Sequence, residues 1–240
     1  MPLKLIMETE PSDATIAERP FSDVASEICA AEHGILAYLV RSLTVRLLYG
    51  LGMVLGFVVA LIPALLTRVE SLFTHRGEIL VLCGQALSII PGLPGSCVRV
   101  CFYYLTLKAC PLNCRIGFLS SIHDRRAELG EKVNIGAFVS IGRVRIGARS
   151  LIASRSSLMS GSRQHELGLD GRLSKFDGSQ ALCIEIGEDT WIGENSMIMA
   201  DIGHQTMICA GSVVTKPVPD RQLWGGNPAR FIKRLIPGSC

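Results

Sequence analysis

Aromatic side chains are scarce, at 6% of 240 residues, while aliphatic residues and glycine are plentiful. A core organised around large rings is therefore not expected, and stacked aliphatic side chains are. Charge of one sign is also lacking. The formal net charge is only +3, which gives no reason to expect a nucleic-acid partner. A regular cysteine framework is missing too. The nine Cys form an odd set without coherent ligand pairs, so no structural metal is expected and the thiols read as buried and reduced. The first 30 residues have no basic stretch followed by an apolar core, so a cleaved signal peptide is not expected.

Charged residues are absent altogether from Leu47 to Thr67, a run long enough to cross a bilayer as a helix. Gly52, Gly56, Ala60 and Ala64 recur every fourth residue along it, a stripe of small side chains against which another helix packs closely. Pro63 near its end also allows a re-entrant or half-inserted helix, and a buried hairpin in a soluble oligomer is the alternative. Two shorter apolar stretches follow, Ile79 to Ile90 and Cys97 to Leu107. The second carries Arg99, Tyr103 and Tyr104 and reads as an interfacial helix lying along headgroups. Flanking charges are nearly balanced and assign no topology. The chain thus divides into a polar tail, 1–33, an apolar helical region associated with a membrane, 34–112, and a third domain, 113–240.

That third domain is a repeat array. Aliphatic-Gly pairs recur at Leu129-Gly130, Ile135-Gly136, Ile141-Gly142 and Ile146-Gly147, and Ile152 and Leu158 keep the spacing of six. The period resumes at Ile186-Gly187, Ile192-Gly193 and Ile198, then runs through Ile202-Gly203, Ile208 and Val214. It falls one or two residues short at two steps, 141 to 146 and 198 to 202. A period of six does not suit an α-helix, whose apolar face returns at 3.6 residues. It predicts a solenoid in which each hexapeptide forms one flat side and its turn, the aliphatic points inward, and glycine accommodates the corner.

The repeat, together with Trp191-Ile192-Gly193-Glu194-Asn195, Gly211-Ser212-Val213-Val214-Thr215-Lys216 and Gly226-Asn227-Pro228-Ala229-Arg230, resembles the hexapeptide acyltransferases over about half the chain. The fold class expected is therefore mainly β, a left-handed parallel β-helix with N-terminal apolar α-helices. The resemblance implies a homotrimer with acetyl-CoA or another acyl-CoA in clefts between subunits. It also implies a hydroxyl-bearing acceptor and a His acting as base, with the catalytic domain in the cytoplasm. The polar insertion, 159–183, breaks the repeat and must leave the aliphatic column. By resemblance it carries the catalytic His, here His165, with Glu166 or Asp170 orienting the ring. His123 is the rival, placed at the entry to the array. A serine acetyltransferase is disfavoured, because no second His stands in the following coil. For the donor, Trp191 offers an apolar wall, the amides around Ala210, Gly211 and Ser212 suit the pantetheine arm, and Lys216, Arg230 and Lys233 suit phosphates. A zinc-dependent carbonic anhydrase is disfavoured because His123, His165 and His204 are isolated. A non-catalytic, membrane-anchored β-solenoid scaffold is the alternative to the enzyme.

Overall fold

A computed structural model of the chain describes the backbone of residues 21–73, 77–161, 172–173 and 182–236, and side chains from residue 43 onward. Among the described residues three helices precede fifteen short strands: α1 (Phe21–Phe73), α2 (Glu78–Ser88) and α3 (Gly92–Thr106). Residues from Tyr49 onward belong to one compact unit and Met1–Leu48 to another.

Each coil of the solenoid is three strands long. The first is β1 (Arg115–Ile116), β2 (Ser121–Ile122) and β3 (Glu128–Leu129); the second is β4 (Asn134–Ile135), β5 (Ser140–Ile141) and β6 (Val144–Ile146). In the third, β7 (Leu151–Ile152) and β8 (Ser157–Leu158) are separated from β9 (Ile184–Ile186) by the insertion. The fourth has β10 (Trp191–Ile192) and β11 (Met197–Ile198) and closes through Ile202; the fifth has β12 (Met207–Ile208) and β13 (Val213–Val214) and closes through Val218. Like positions stack in parallel register, Ile135 on Ile152 and Ile141 on Leu158. A hairpin of β14 (Gln222–Gly225) and β15 (Arg230–Arg234) ends the array, the one antiparallel pairing among the described strands.

The predicted column of aliphatics is present: Ile116, Ile135, Ile152, Ile192 and Ile208 are buried one above another on one side, and equivalent residues fill the other two. The small residues that precede some of these aliphatics also have a task. Buried Ser150 and Ser156 donate to Gly187 O (2.8 Å) and Gly193 O (3.0 Å) of the next coil. Hydroxyls thereby satisfy corner carbonyls that the parallel ladder leaves over.

The corners differ from the sequence expectation in their backbone. The left-handed conformation falls on residues such as Phe138 (φ 59°) and Asn195 (φ 58°), three positions after the aliphatic. The glycine directly after the aliphatic is needed for space instead. A Cβ on Gly193 would lie 2.5 Å from Ala210 N of the next coil.

The helices close the N-terminal end. α1 begins at Phe21, inside the stretch read as a polar tail, and Ala25, Glu27, Ala30 and Ala31 there are good helix formers. It continues through Pro63, and Leu43–Phe73 is long and apolar enough to cross a membrane. The Gly52/Gly56 stripe admits a helix of the same chain: a Cβ on Gly56 would meet Cys101 Sγ and the Cys97 backbone of α3 at 3.1 Å.

α3 is not the interfacial helix its Tyr and Arg residues suggested. Residues 95–103 are buried, because α3 packs between α1, α2 and the first coil. Arg99, 1% exposed, donates to Ile116 O (3.0 Å), Ser88 O (3.2 Å) and Ile90 O (2.8 Å). It thus binds the carbonyl end of α2 to the first strand, where a cation also meets the favourable end of the helix dipole. Tyr103, fully buried, accepts from Ile122 N–H (2.9 Å), so α3 completes the hydrogen bonding of the first coil.

Candidate active site

One corner of the prism differs from the other two. It lies between the second and third strand of each coil, and it is where the chain passes from β8 into the insertion. The short steps 141 to 146 and 198 to 202, in the coils that flank the insertion, fall at this same corner, as does a third, 214 to 218, in the fifth coil. Shortened turns on both sides leave room for a segment that departs between them.

The described start of the insertion is tied to its neighbours. Met159 N–H donates to Ile198 O (2.9 Å), and Arg143 N–H donates to Ser160 Oγ (2.8 Å). His165, Glu166 and Asp170 lie outside the described residues. His123 stands at the same corner two coils away, its N–H donating to Ile141 O (2.8 Å) and its Nε2 2.8 Å from Ser121 Oγ. Burial lowers the pKa of this imidazole and favours the neutral ring.

Beside it, Asp124 makes a two-pronged pair with Arg126, Oδ1 to Nε at 3.0 Å and Oδ2 to Nη2 at 2.7 Å. Burial pushes the Asp124 carboxyl up. The Arg126 hydrogen bonds and the nearby Arg143 charge outweigh it, and the net shift is downward. Asp124, Arg126, Arg143 and Ser160 were not singled out in the sequence. The signal that would have found them is the coincidence of the two short steps with the insertion, which marks one corner in every coil.

Lys216 is exposed at this corner in the fifth coil, after β13. The other residues considered for the donor lie along a different edge. Trp191 points outward from β10, 42% exposed, with Leu151 and Met207 in register on either side and also exposed, a strip of apolar surface on one face of the prism. Arg230 and Lys233 are exposed on β15, at the end of the same sheet. Ala210, Gly211 and Ser212 form the neighbouring corner. There the Gly211 N–H is committed to Glu194 O (2.7 Å), and buried Ser212 donates its hydroxyl to Cys209 O (2.6 Å). His204 belongs to the third corner, where its Nδ1 accepts from Glu188 N–H (3.1 Å) and Asp220 accepts from its N–H (2.8 Å).

The outward sides of the strands are chemically unequal. On the β3–β6–β9 sheet, Arg145 pairs with Glu128 (3.4 Å) and with Glu185, and Lys108 pairs with Glu128 (2.7 Å), a solvated ladder of alternating charge. The Trp191 face carries apolar groups instead.

Comparison with known proteins agrees with this architecture. No family profile matches the chain. A probable macrolide acetyltransferase of Lysinibacillus sphaericus is 30% identical over 129 residues, 49% of this chain and 68% of that protein. A chloramphenicol acetyltransferase of Klebsiella aerogenes is 36% identical over 114 residues, 43% of this chain and 52% of its own length. The bifunctional protein GlmU of Acaryochloris marina is 30% identical over 148 residues, 60% of this chain but 32% of GlmU, so the chain spans about a third of that relative. Among solved structures, a maltose O-acetyltransferase from Clostridium difficile 630 shares the fold, with a TM-score of 0.50 at 21% identity, covering 58% of this chain and 75% of that one. The fold is therefore the left-handed parallel β-helix with N-terminal helices. The chain belongs to the hexapeptide-repeat acyltransferase family.

Proposed function

We propose that the chain is an acyl-CoA-dependent O-acyltransferase, in the first instance an O-acetyltransferase, acting on a sugar, a polysaccharide precursor or a lipid-linked acceptor. The observation that carries this reading is the corner at which the insertion leaves the solenoid, flanked by shortened turns and shared by His123 and Lys216. Acetyltransferase relatives that match the solenoid support it.

In this reading His165 is the general base. Its neutral imidazole takes the proton of the acceptor hydroxyl as the oxygen attacks the thioester carbonyl carbon. A tetrahedral intermediate forms, the C–S bond breaks, and the proton held by the imidazole passes to the departing CoA sulfur. Asp170 or Glu166 would hold the ring tautomer. His123, neutral and beside the Asp124–Arg126 pair, lines the acceptor side. The active form is a homotrimer, and the apolar Trp191 strip faces a neighbouring subunit and the donor's pantetheine arm. Lys216, Arg230 and Lys233 supply cations for CoA phosphates. The domains act as read from the sequence, with 113–240 catalytic and in the cytoplasm and the apolar region, 34–112, bringing it to a membrane.

Calorimetry of acetyl-CoA with the full chain in detergent, His165→Ala alongside, tests the reading. Saturable binding by both proteins, with thiol release in an acceptor screen lost only in the variant, is the expected result. A well-folded trimer that binds no acetyl-CoA would favour the scaffold instead.

A further inference from the structure

Both ends of the apolar part of α1 are fastened to the first coil or its immediate approach. The Tyr49 hydroxyl donates to Leu112 O (3.3 Å), just before β1. At the other end Glu70 pairs with Arg125 (3.2 Å), in the turn between β2 and β3, and Arg68 donates to Leu105 O (2.8 Å). Residues 49–70 extend roughly 30 Å at 1.5 Å per residue, about the thickness of a hydrocarbon core. A helix held at both ends by one coil cannot stand along the membrane normal unless that coil enters the bilayer with it. The coil and the turn leaving it carry exposed Arg115, Glu131 and Lys132, charges that hydrocarbon penalises heavily. A perpendicular crossing by this stretch conflicts with the fold.

The inward side of the helix is already occupied, by Gly56, Ala60, Ala64, Thr67 and Glu70. On the outward side, every exposed side chain from Leu51 to Leu66 is aliphatic. Leu51, Val58 and Leu65, seven residues apart on one face, are 67%, 66% and 61% exposed. We infer, on the membrane-associated reading above, that the stretch of α1 from Tyr49 to Glu70 lies flat in one leaflet. Its outward face enters the acyl chains, and the solenoid stands on it with its first coil at the headgroups. The occupant of this face is lipid rather than another protein. Specific protein interfaces carry about one hydrogen bond per 100–200 Å², and this face offers no side-chain donor or acceptor from Leu51 to Leu66. Acyl chains require none.

Depth-resolved quenching tests the orientation on the full chain. Leu51→Trp, Val58→Trp and Leu65→Trp are each reconstituted with phosphatidylcholine–phosphatidylglycerol vesicles brominated near the headgroup or near the chain end. The parent, which retains Trp191 and Trp224, is the background. A flat helix gives the three positions equal quenching, strongest with shallow bromines. Graded quenching, deepest at Val58→Trp, would mean a crossing helix and overturn the inference while leaving membrane association intact. Flotation of the parent is measured alongside, and failure to float removes the membrane reading itself. The pair Leu55→Glu and Ile62→Glu should abolish flotation without changing the melting of the solenoid. Retained flotation of that variant would also overturn the inference. So would self-association through this face that shields the three tryptophans from iodide in the absence of lipid.

Discussion

The solenoid and α1 are both rich in aliphatic residues, yet they use them in opposite ways. In the solenoid the repeating Ile and Val side chains are buried almost completely, each resting on its counterpart one coil away. In α1 the small residues turn inward and the large ones outward, so that Val58, Leu61 and Ile62 remain exposed. Hydrophobicity alone therefore says little about burial. The period of the pattern, and which size class falls on the inner face, decide whether apolar surface becomes a core or a contact surface.

The largest effect should come from breaking the column. Ile192→Ala removes a fully buried side chain between two coils, and about 2–5 kcal/mol of stability should be lost in chemical denaturation. The matching change on the helix, Val58→Ala, should cost no more than about 0.5 kcal/mol in the same assay without lipid. A cost as large as that of the solenoid change would abolish the contrast.

Arg99→Ala probes the joint between the two regions. It strips a buried guanidinium from carbonyls of α2 and β1, of which Ser88 O keeps the Leu119 N–H, and about 1–3 kcal/mol of stability should be lost. Hydrogen exchange should report opening of α2 and α3 before the distal coils, and uniform opening would mean that the helices and coils unfold as one. Gly193→Ala should cost about 1–3 kcal/mol, since the new methyl group meets the backbone of the next coil, and thermal melting will read it. Ser156→Ala should cost about 1 kcal/mol, measured the same way, by removing the hydroxyl from Gly193 O.

The smallest effect is expected at His123. Its pKa is lower in the folded protein than the ordinary value of about 6.5. The folded state therefore prefers the neutral ring. This contribution is fully present above the ordinary pKa and is lost as pH falls through it towards the folded value. Denaturation across that window should show a slope that His123→Gln flattens. NMR titration should place the imidazole midpoint below that of a free histidine side chain.

Much of this was legible in the sequence because it rests on local rules. Leu129-Gly130 through Val214 announce the solenoid by period alone, since one residue type recurs at one geometric position. The insertion announces itself because its polar residues cannot enter the column. The meaning of the two short steps was not legible. Only stacking places 141–146 and 198–202 at the corner of the insertion, and with them His123, Asp124 and Arg126. The role of α3 was misread for a similar reason. An Arg–Tyr-bearing apolar helix at an interface and one buried as a cap have the same local pattern. Burial of Arg99 depends on carbonyls from α2 and β1, and a linear pattern does not reveal their position.

The sequence by itself determined the solenoid and the existence of a long uncharged apolar stretch, because periodicity and run length are properties of neighbouring residues. Tertiary structure decided the rest. It selected α3 as the partner of the glycine stripe, tied both ends of the 49–70 stretch of α1 to the first coil or its approach, and left one side of the prism charged and another apolar. These outcomes depend on groups far apart in the chain, and only close packing brings them within hydrogen-bonding and van der Waals reach.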